Sequence, residues 1–212
     1  MQEGNIHFFE LPINEYFTEY DAKLIIKSSN KDLNCYSIHM PKNISIGQVT
    51  KNLGLMKGLD YIRPKIIIIH PQIYCNFTKD CCELSRMIEN HGSTLCIEYL
   101  AYDKLMQSIY ESLPPKIGIT LDFFHCTNAN APIEKAISFF NANILHVHLN
   151  DFFPGESALC PGEGNMHIEK YLTMLKKMNY EGKYIIECNL NNSGNFHRVI
   201  EFCNSLNTVL KF

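Results

Sequence analysis

The chain has 212 residues and a mass of 24.5 kDa, and 46% of its residues are hydrophobic. This size and apolar content suit a single enzyme-sized domain over residues 1–212. The formal net charge of −3 gives no electrostatic basis for binding nucleic acid, which needs Lys and Arg opposite the phosphates, so we expect no nucleic-acid partner.

Seven strand-like runs follow one another along the chain. The first is Ile6 to Leu11, and the other six each end at a histidine or an acidic residue: His39, His70, Glu98, Asp122, His148 and Glu187. These six residues are 31, 28, 24, 26 and 39 positions apart. Each interval fits about one strand, one helix and two loops, which is the repeat of a βα-barrel.

Segments with helical period lie between the strand-like runs. Examples are Ile133 to Phe140 and Ile168 to Leu175, in which apolar residues recur every three or four positions. The unbroken run Ile66 to Ile69 indicates a strand that is covered on both faces, as in a parallel sheet. A doubly wound sheet shares these features, but its strand ends do not converge on one spot, so the six polar strand ends favour the barrel.

A complete barrel has eight strands, whereas seven candidates are found here. Only five residues precede Ile6, so we predict an α/β TIM barrel that lacks its first βα unit. The seam left by that unit needs a cover, and a second copy of the chain in a homodimer is one candidate. The long irregular segment from Phe152 to Asn165 directly follows His148, and loops of this length are usually functional.

Cysteine usage and hydropathy indicate the compartment. The nine cysteines are odd in number and scattered, and Met1 to Asn5 is too polar to begin a signal peptide. We therefore expect reduced thiols in the cytoplasm. Apolar runs are strand-sized, far below the ~20 residues that span a bilayer, so no membrane association is expected.

The polar strand ends have the chemistry of a metal site. Carboxylates and an imidazole, here Glu98, Asp122, His148 and Glu187, suit a divalent cation such as Mn²⁺, Mg²⁺, Co²⁺ or Zn²⁺. Taken singly, such a residue is more often a loop cap or a hydrogen-bonded core group. Four together favour a metal, because an ionised carboxylate at the end of an apolar strand is costly unless paired or bound to an ion. His39 and His70 are candidates for a second ion beside Glu98.

Several stretches of the sequence resemble the xylose-isomerase-like barrels, a superfamily of sugar isomerases, sugar epimerases and endonuclease IV. They are Ile69 to Pro71, Leu95 to Glu98, Leu121 to His125, His146 to Asp151, Pro161 to Asn165 and Met178 to Glu187. The resemblance implies that Glu98, Asp122, His148 and Glu187 hold the shared metal. It also implies that His125, three residues after the aspartate, contacts substrate as in the ketose epimerases.

Endonuclease IV is the second branch that the chain resembles. His148 to Asp151 and Gly162 to Asn165 match its local strings, and His39, His70 and His125 match its zinc-binding histidines. The aspartate and histidine that complete its third zinc site fall on Glu156 and Ala158. The chain also departs from the epimerases. Their arginine six residues beyond the metal histidine falls on Pro154, and their substrate-contacting glutamate falls on Lys104.

The sequence therefore predicts a metal-dependent isomerase or epimerase that acts on a small sugar or hydroxy-carbonyl compound through an enediolate. Glu98 and Glu187 are the expected acid/base pair, and His125, Lys104 and His70 the expected substrate contacts. Two alternatives stay open. One is an endonuclease IV-like phosphodiesterase or another metal-dependent hydrolase or lyase, and the other is a non-catalytic barrel that binds a metabolite.

Overall fold

The computed structural model describes residues 8–14, 16–28, 34–42, 45–51, 53–72, 76–100, 104–156, 158–188 and 198–205. For residues 50, 53, 54 and 104–106 it describes the backbone only. Strands and helices alternate over these residues, as predicted. No helix in this part of the chain is both long enough and apolar enough to cross a membrane.

Seven strands are present in the described residues, in agreement with the predicted number. They are β1 (Phe8–Pro12), β2 (Asn34–His39), β3 (Ile66–Ile69), β4 (Thr94–Tyr99), β5 (Gly118–Asp122), β6 (Ile144–Leu149) and β7 (Lys183–Ile186).

The helices separate these strands. They are α1 (Glu19–Ser28), α2 (Ile46–Lys51), α3 (Leu53–Ile62), α4 (Phe77–Glu89), α5 (Lys104–Ser112), α6 (Phe123–Asn128), α7 (Ile133–Phe140) and α8 (Ile168–Lys177). A 3₁₀ turn covers Asn141–Asn143, and residues 198–205 are also helical. The helical periods predicted over Ile133 to Phe140 and Ile168 to Leu175 are thus confirmed.

Two compact units make up the fold. One contains residues 6–98 and 103–118, and the other contains residues 1–5, 99–102 and 119–212. In the first unit β1, β2, β3 and β4 pair in parallel in chain order. All four isoleucines of β3 are buried, as the unbroken apolar run predicts for a strand with both faces covered. The side chains of Ile38, Leu95 and Ile97 extend this core.

The second unit pairs β5, β6 and β7 in parallel, again in chain order. Its register places Asp122 opposite His148 and Thr120 opposite His146. Helices α7 and α8 pack against each other and bury apolar side chains such as Ile137 and Leu172. Because side chains two apart in a strand share a face, this register puts the predicted ligands Asp122 and His148 side by side.

Candidate functional site

The carboxyl end of the second unit's sheet carries three of the predicted metal ligands, which we call the aspartate–histidine–glutamate cluster. Nδ1 of His148 lies 2.9 Å from Oε2 of Glu187 and 3.5 Å from Oδ2 of Asp122. One ligand atom from each of the three residues lies within 4.8 Å of the others. Three donors this close can share one divalent cation, since metal–ligand bonds are ~2.0–2.6 Å long.

Burial differs sharply within this cluster. The side chains of His148 and Asp122 are 0% and 2% exposed, whereas that of Glu187 is 46% exposed. Glu187 follows β7 directly, and its backbone N–H donates to the carbonyl oxygen of Leu149 at 3.0 Å. The hydrogen bond continues the β6–β7 pairing by one residue, so Glu187 is held at the end of the strand while its carboxylate stays accessible.

Asp122 is fixed by the start of helix α6. As the residue before this helix it accepts a hydrogen bond at Oδ1 from the backbone N–H of His125 at 2.6 Å. Its Oδ2 accepts one from Nδ2 of Asn150 at 3.1 Å. The helix cap and the amide together satisfy a carboxylate that is almost fully buried, and they leave Oδ2 directed toward His148.

Asn150 and Asp151 form hydrogen bonds that organise the site, and their roles were not predicted from the sequence. Besides Asp122, Asn150 binds the backbone N–H of Phe124 through its Oδ1. Asp151 is 1% exposed and accepts hydrogen bonds from the backbone N–H groups of Phe152, Gly162 and Met166 at 2.8 to 3.0 Å. The sequence offered one sign of these roles, because an amide and a carboxylate, Asn150 and Asp151, directly follow the strand that carries His148.

The long segment after β6 is organised around Asp151. Its backbone forms an antiparallel bridge with Leu159. Its carboxylate accepts the three backbone hydrogen bonds described above. A Cβ added at Gly164 would collide with Oδ1 of Asp151 and with the carbonyl oxygen of Phe152. Only glycine therefore fits at position 164, and the segment predicted to be functional is an ordered loop beside His148. Glu156 of this loop is exposed.

The first unit brings together the other predicted ligands, which we call the histidine–glutamate cluster. Nε2 of His70 lies 2.8 Å from Oε2 of Glu98, and Nε2 of His39 lies 3.6 Å from Oε1 of the same carboxylate. The two imidazole rings are edge to face with centroids 4.8 Å apart. Their ligand atoms fall within 4.8 Å of one another, as expected for donors to a second ion beside Glu98.

Glu98 has a side chain that is 1% exposed, so its charge needs compensation. The contact between Nε2 of His70 and Oε2 of Glu98 is short but lacks hydrogen-bond geometry. An imidazole nitrogen and a carboxylate oxygen this close could both bind one divalent cation. The hydroxyl of Tyr110 donates to the carbonyl oxygen of Glu98 at 2.9 Å and fixes its backbone.

The remaining predicted site residues have different outcomes. His125 lies in the first turn of α6, is half-buried, and has its ring 5.6 Å from that of Phe124. Its proposed contact with substrate stays a prediction. Lys104 begins α5, and its side chain lies outside the described residues. His146 is fully buried.

Comparison with known proteins identifies the family. The model of the xylose isomerase-like TIM barrel family matches residues 64–206. An uncharacterized protein of Methanocaldococcus jannaschii is 21% identical, and the match covers 79% of this chain. The chain spans 65% of the length of that curated relative.

Solved structures show the same fold. A D-tagatose 3-epimerase-like protein superposes with a TM-score of 0.78 at 18% identity, over 98% of this chain and 90% of its own. An AP endonuclease of family 2 from Brucella melitensis gives 0.71 at 14% identity, over 92% and 86% of the two chains. The IolI protein with a bound zinc atom gives 0.67 at 15% identity, over 97% and 88%.

These similarities confirm the predicted α/β TIM-barrel fold class. Structural similarity at such low sequence identity establishes the fold and does not establish the reaction. The family model matches more than half of the sequence, including β3 to β7 and five of the six polar strand ends. The chain therefore belongs to the xylose isomerase-like TIM barrel family.

Proposed function

We propose that this chain is a divalent-metal-dependent isomerase or epimerase of a small sugar or a related hydroxy-carbonyl compound. The observation that carries the proposal is the convergence of Asp122 and Glu187 on Nδ1 of His148. A ligand set of carboxylates and imidazole fits Mn²⁺, Co²⁺, Zn²⁺ or Mg²⁺. The structural likeness to a D-tagatose 3-epimerase-like protein and to a zinc-binding IolI protein supports the same reading.

Glu98 is the fourth ligand of the proposed set. It lies near the end of β4, the strand that precedes β5 and Asp122 in the chain, and the family resemblance assigns it the same role. When bound, the cation would supply Lewis-acid stabilisation of charge on a substrate oxygen.

Glu187 is the proposed base that removes the proton from the carbon next to the substrate carbonyl. Its carboxylate is 46% exposed, so a substrate can reach it. General acid/base catalysis needs such a group within hydrogen-bond reach of the transferred proton and contributes typically ~10²–10⁴-fold. Glu98 is the proposed partner that returns a proton, and His125, His70 and Lys104 are the proposed substrate contacts.

A second candidate function is phosphodiester cleavage of the endonuclease IV type. The observation that favours it is the histidine–glutamate cluster, because His39, His70 and Glu98 form a second set of ligand atoms, and two-metal sites are common in nucleases. The likeness to an AP endonuclease of family 2 points the same way. The net charge of −3 argues against it, because DNA binding depends on neutralising phosphates.

One experiment separates these functions. The protein is stripped of metal, loaded with Mn²⁺ or Co²⁺, and incubated in D₂O with a panel of ketoses, aldoses and their phosphate and keto derivatives. We expect NMR to show loss of one substrate C–H signal as deuterium enters. In parallel, the same sample is incubated with duplex DNA that contains an abasic site. Strand cleavage without exchange would replace the isomerase proposal by the nuclease, and ligand-induced thermal shifts without either reaction would favour a binding protein.

A further inference from the structure

Two cysteines meet near the end of β7. Sγ of Cys160 lies 2.7 Å from Sγ of Cys188, although the residues are 28 positions apart in the chain. Both cysteines are free thiols, and their sulfur atoms lie close enough for an S–S bond of ~2.05 Å to form with a small shift. Both belong to the second compact unit. Cys160 lies in the loop after β6, and Cys188 comes two residues after the end of β7.

Both partners are held by their backbones. The N–H of Cys160 donates to Oε2 of Glu163 at 3.1 Å, and the N–H of Glu163 donates to the carbonyl oxygen of Cys160 at 3.0 Å. Glu163 is itself paired with Arg198, with Nη1 3.2 Å from Oε1. On the other side, the residue before Cys188 is tied to β6 through the hydrogen bond from Glu187 to Leu149. Two fixed backbones keep the sulfur atoms in contact, so a bond between them needs little movement.

Accessibility distinguishes the two thiols. Cys160 is 0% exposed, whereas Cys188 is only partly buried. A small oxidant therefore meets Cys188 first.

We propose that Cys160 and Cys188 are a redox-active pair that a peroxide converts to an intrachain disulfide. In the first step the sulfur of Cys188 attacks one oxygen of hydrogen peroxide, and the thiol proton passes to the departing hydroxide. An S–O bond forms, the O–O bond breaks, one water leaves, and the sulfur is oxidised to a sulfenic acid while the peroxide is reduced. In the second step Sγ of Cys160 attacks the Cys188 sulfur, the S–S bond forms, and the S–O bond breaks with release of a second water.

The disulfide would close a loop that contains α8 and β7. Crosslinks of this kind stabilise a protein chiefly by restricting the unfolded chain, so the oxidised form should melt at a higher temperature than the reduced form. The reaction uses residues outside the proposed ligand set, and it can be tested whether or not the chain is an isomerase.

The test begins with fully reduced protein, which is incubated for hours with a small excess of hydrogen peroxide. It is then unfolded, alkylated, digested without reducing agent and analysed by mass spectrometry. We expect a peptide pair linked through Cys160 and Cys188, which disappears on treatment with dithiothreitol, together with a rise in melting temperature of several degrees. Cys203 is also partly buried and lies in the same unit, so Cys203→Ser is the matched control and should leave the linked pair unchanged.

Single variants test the order of events. In Cys160→Ser a sulfenic-acid trap such as dimedone should label Cys188, because no neighbouring thiol can resolve the intermediate. In Cys188→Ser, Cys160 should stay unlabelled and alkylate fully after unfolding. Cys188 is only partly buried, so Cys188→Ser should fold and can be used if Cys160→Ser does not. Recovery of both cysteines as alkylated thiols from peroxide-treated wild type would overturn the proposal, as would disulfides distributed equally among other cysteine pairs.

Discussion

Asn150 connects the predicted metal ligand Asp122 to helix α6. Its Nδ2 donates to Oδ2 of Asp122 at 3.1 Å, and its Oδ1 accepts from the backbone N–H of Phe124. Asp122 in turn caps the same helix through the N–H of His125. One buried amide thus fixes both the orientation of the carboxylate and the start of the helix that follows it.

The first prediction concerns this amide. Asn150→Ala should weaken Mn²⁺ or Zn²⁺ binding by roughly 10–100-fold, because residues that orient metal ligands typically contribute that much to affinity. Isothermal titration of metal into stripped protein measures the change. Asn128→Ala is the matched control, since Asn128 is an exposed residue at the end of the same helix. Equal affinities in both variants and wild type would contradict the role given to Asn150.

The second prediction concerns the loop after β6. Gly164→Ala should destabilise the protein by about 1–3 kcal/mol, the usual cost of forcing atoms into a filled space, because the new Cβ meets the Asp151 carboxylate and the Phe152 carbonyl. Chemical denaturation measures the free energy of unfolding. A Cβ at Gly47 in α2 meets nothing within 4 Å, so Gly47→Ala should be neutral or stabilising. A neutral Gly164→Ala would show that the loop adjusts without cost.

Local sequence patterns predicted the strands well, and they singled out side chains that lie close together at the strand ends. A histidine or carboxylate that ends an apolar run is visible in the sequence, and the parallel register of β5 and β6 then places Asp122 beside His148. The roles of Asn150 and Asp151 were not predicted, because they depend on which backbone amides the loop turns toward them. The contact of Cys160 with Cys188 joins residues 28 positions apart in the chain, and no local sequence pattern predicts a contact between residues so far apart in sequence.

The third prediction concerns the number of ions. The four-ligand set of Glu98, Asp122, His148 and Glu187 should hold one ion tightly, and the histidine–glutamate cluster should hold a second more weakly. His70→Ala should therefore lower the metal content measured by elemental analysis and leave the tight site filled.

A third zinc ion of the endonuclease IV type is not expected. The positions that would complete its site are Glu156 and Ala158, and an alanine side chain offers no ligand atom. Three equivalents of zinc per chain in dialysed protein would contradict this expectation.

The fourth prediction concerns His125, the proposed substrate contact. His125→Ala should reduce turnover by at least tenfold with little change in metal affinity, since only the backbone N–H of this residue bonds to Asp122 and the substitution keeps that group. His167 is exposed and makes no side-chain cap at the start of α8, which makes His167→Ala the matched control. A large loss of metal from His125→Ala would instead make this imidazole a ligand.

The last prediction tests the proposed base. Glu187→Gln should nearly abolish exchange of the substrate C–H proton with deuterium, because the amide keeps the shape of the side chain and loses both its charge and its basicity. The exchange rate is measured by NMR at saturating Mn²⁺, so that weaker metal binding by the variant does not imitate a loss of chemistry. Glu181→Gln is the control, because Glu181 is an exposed carboxylate in the turn before β7. If Glu187→Gln exchanges as fast as wild type with metal bound, Glu187 is a ligand alone and the proton is removed by another group, for which Glu98 is the next candidate.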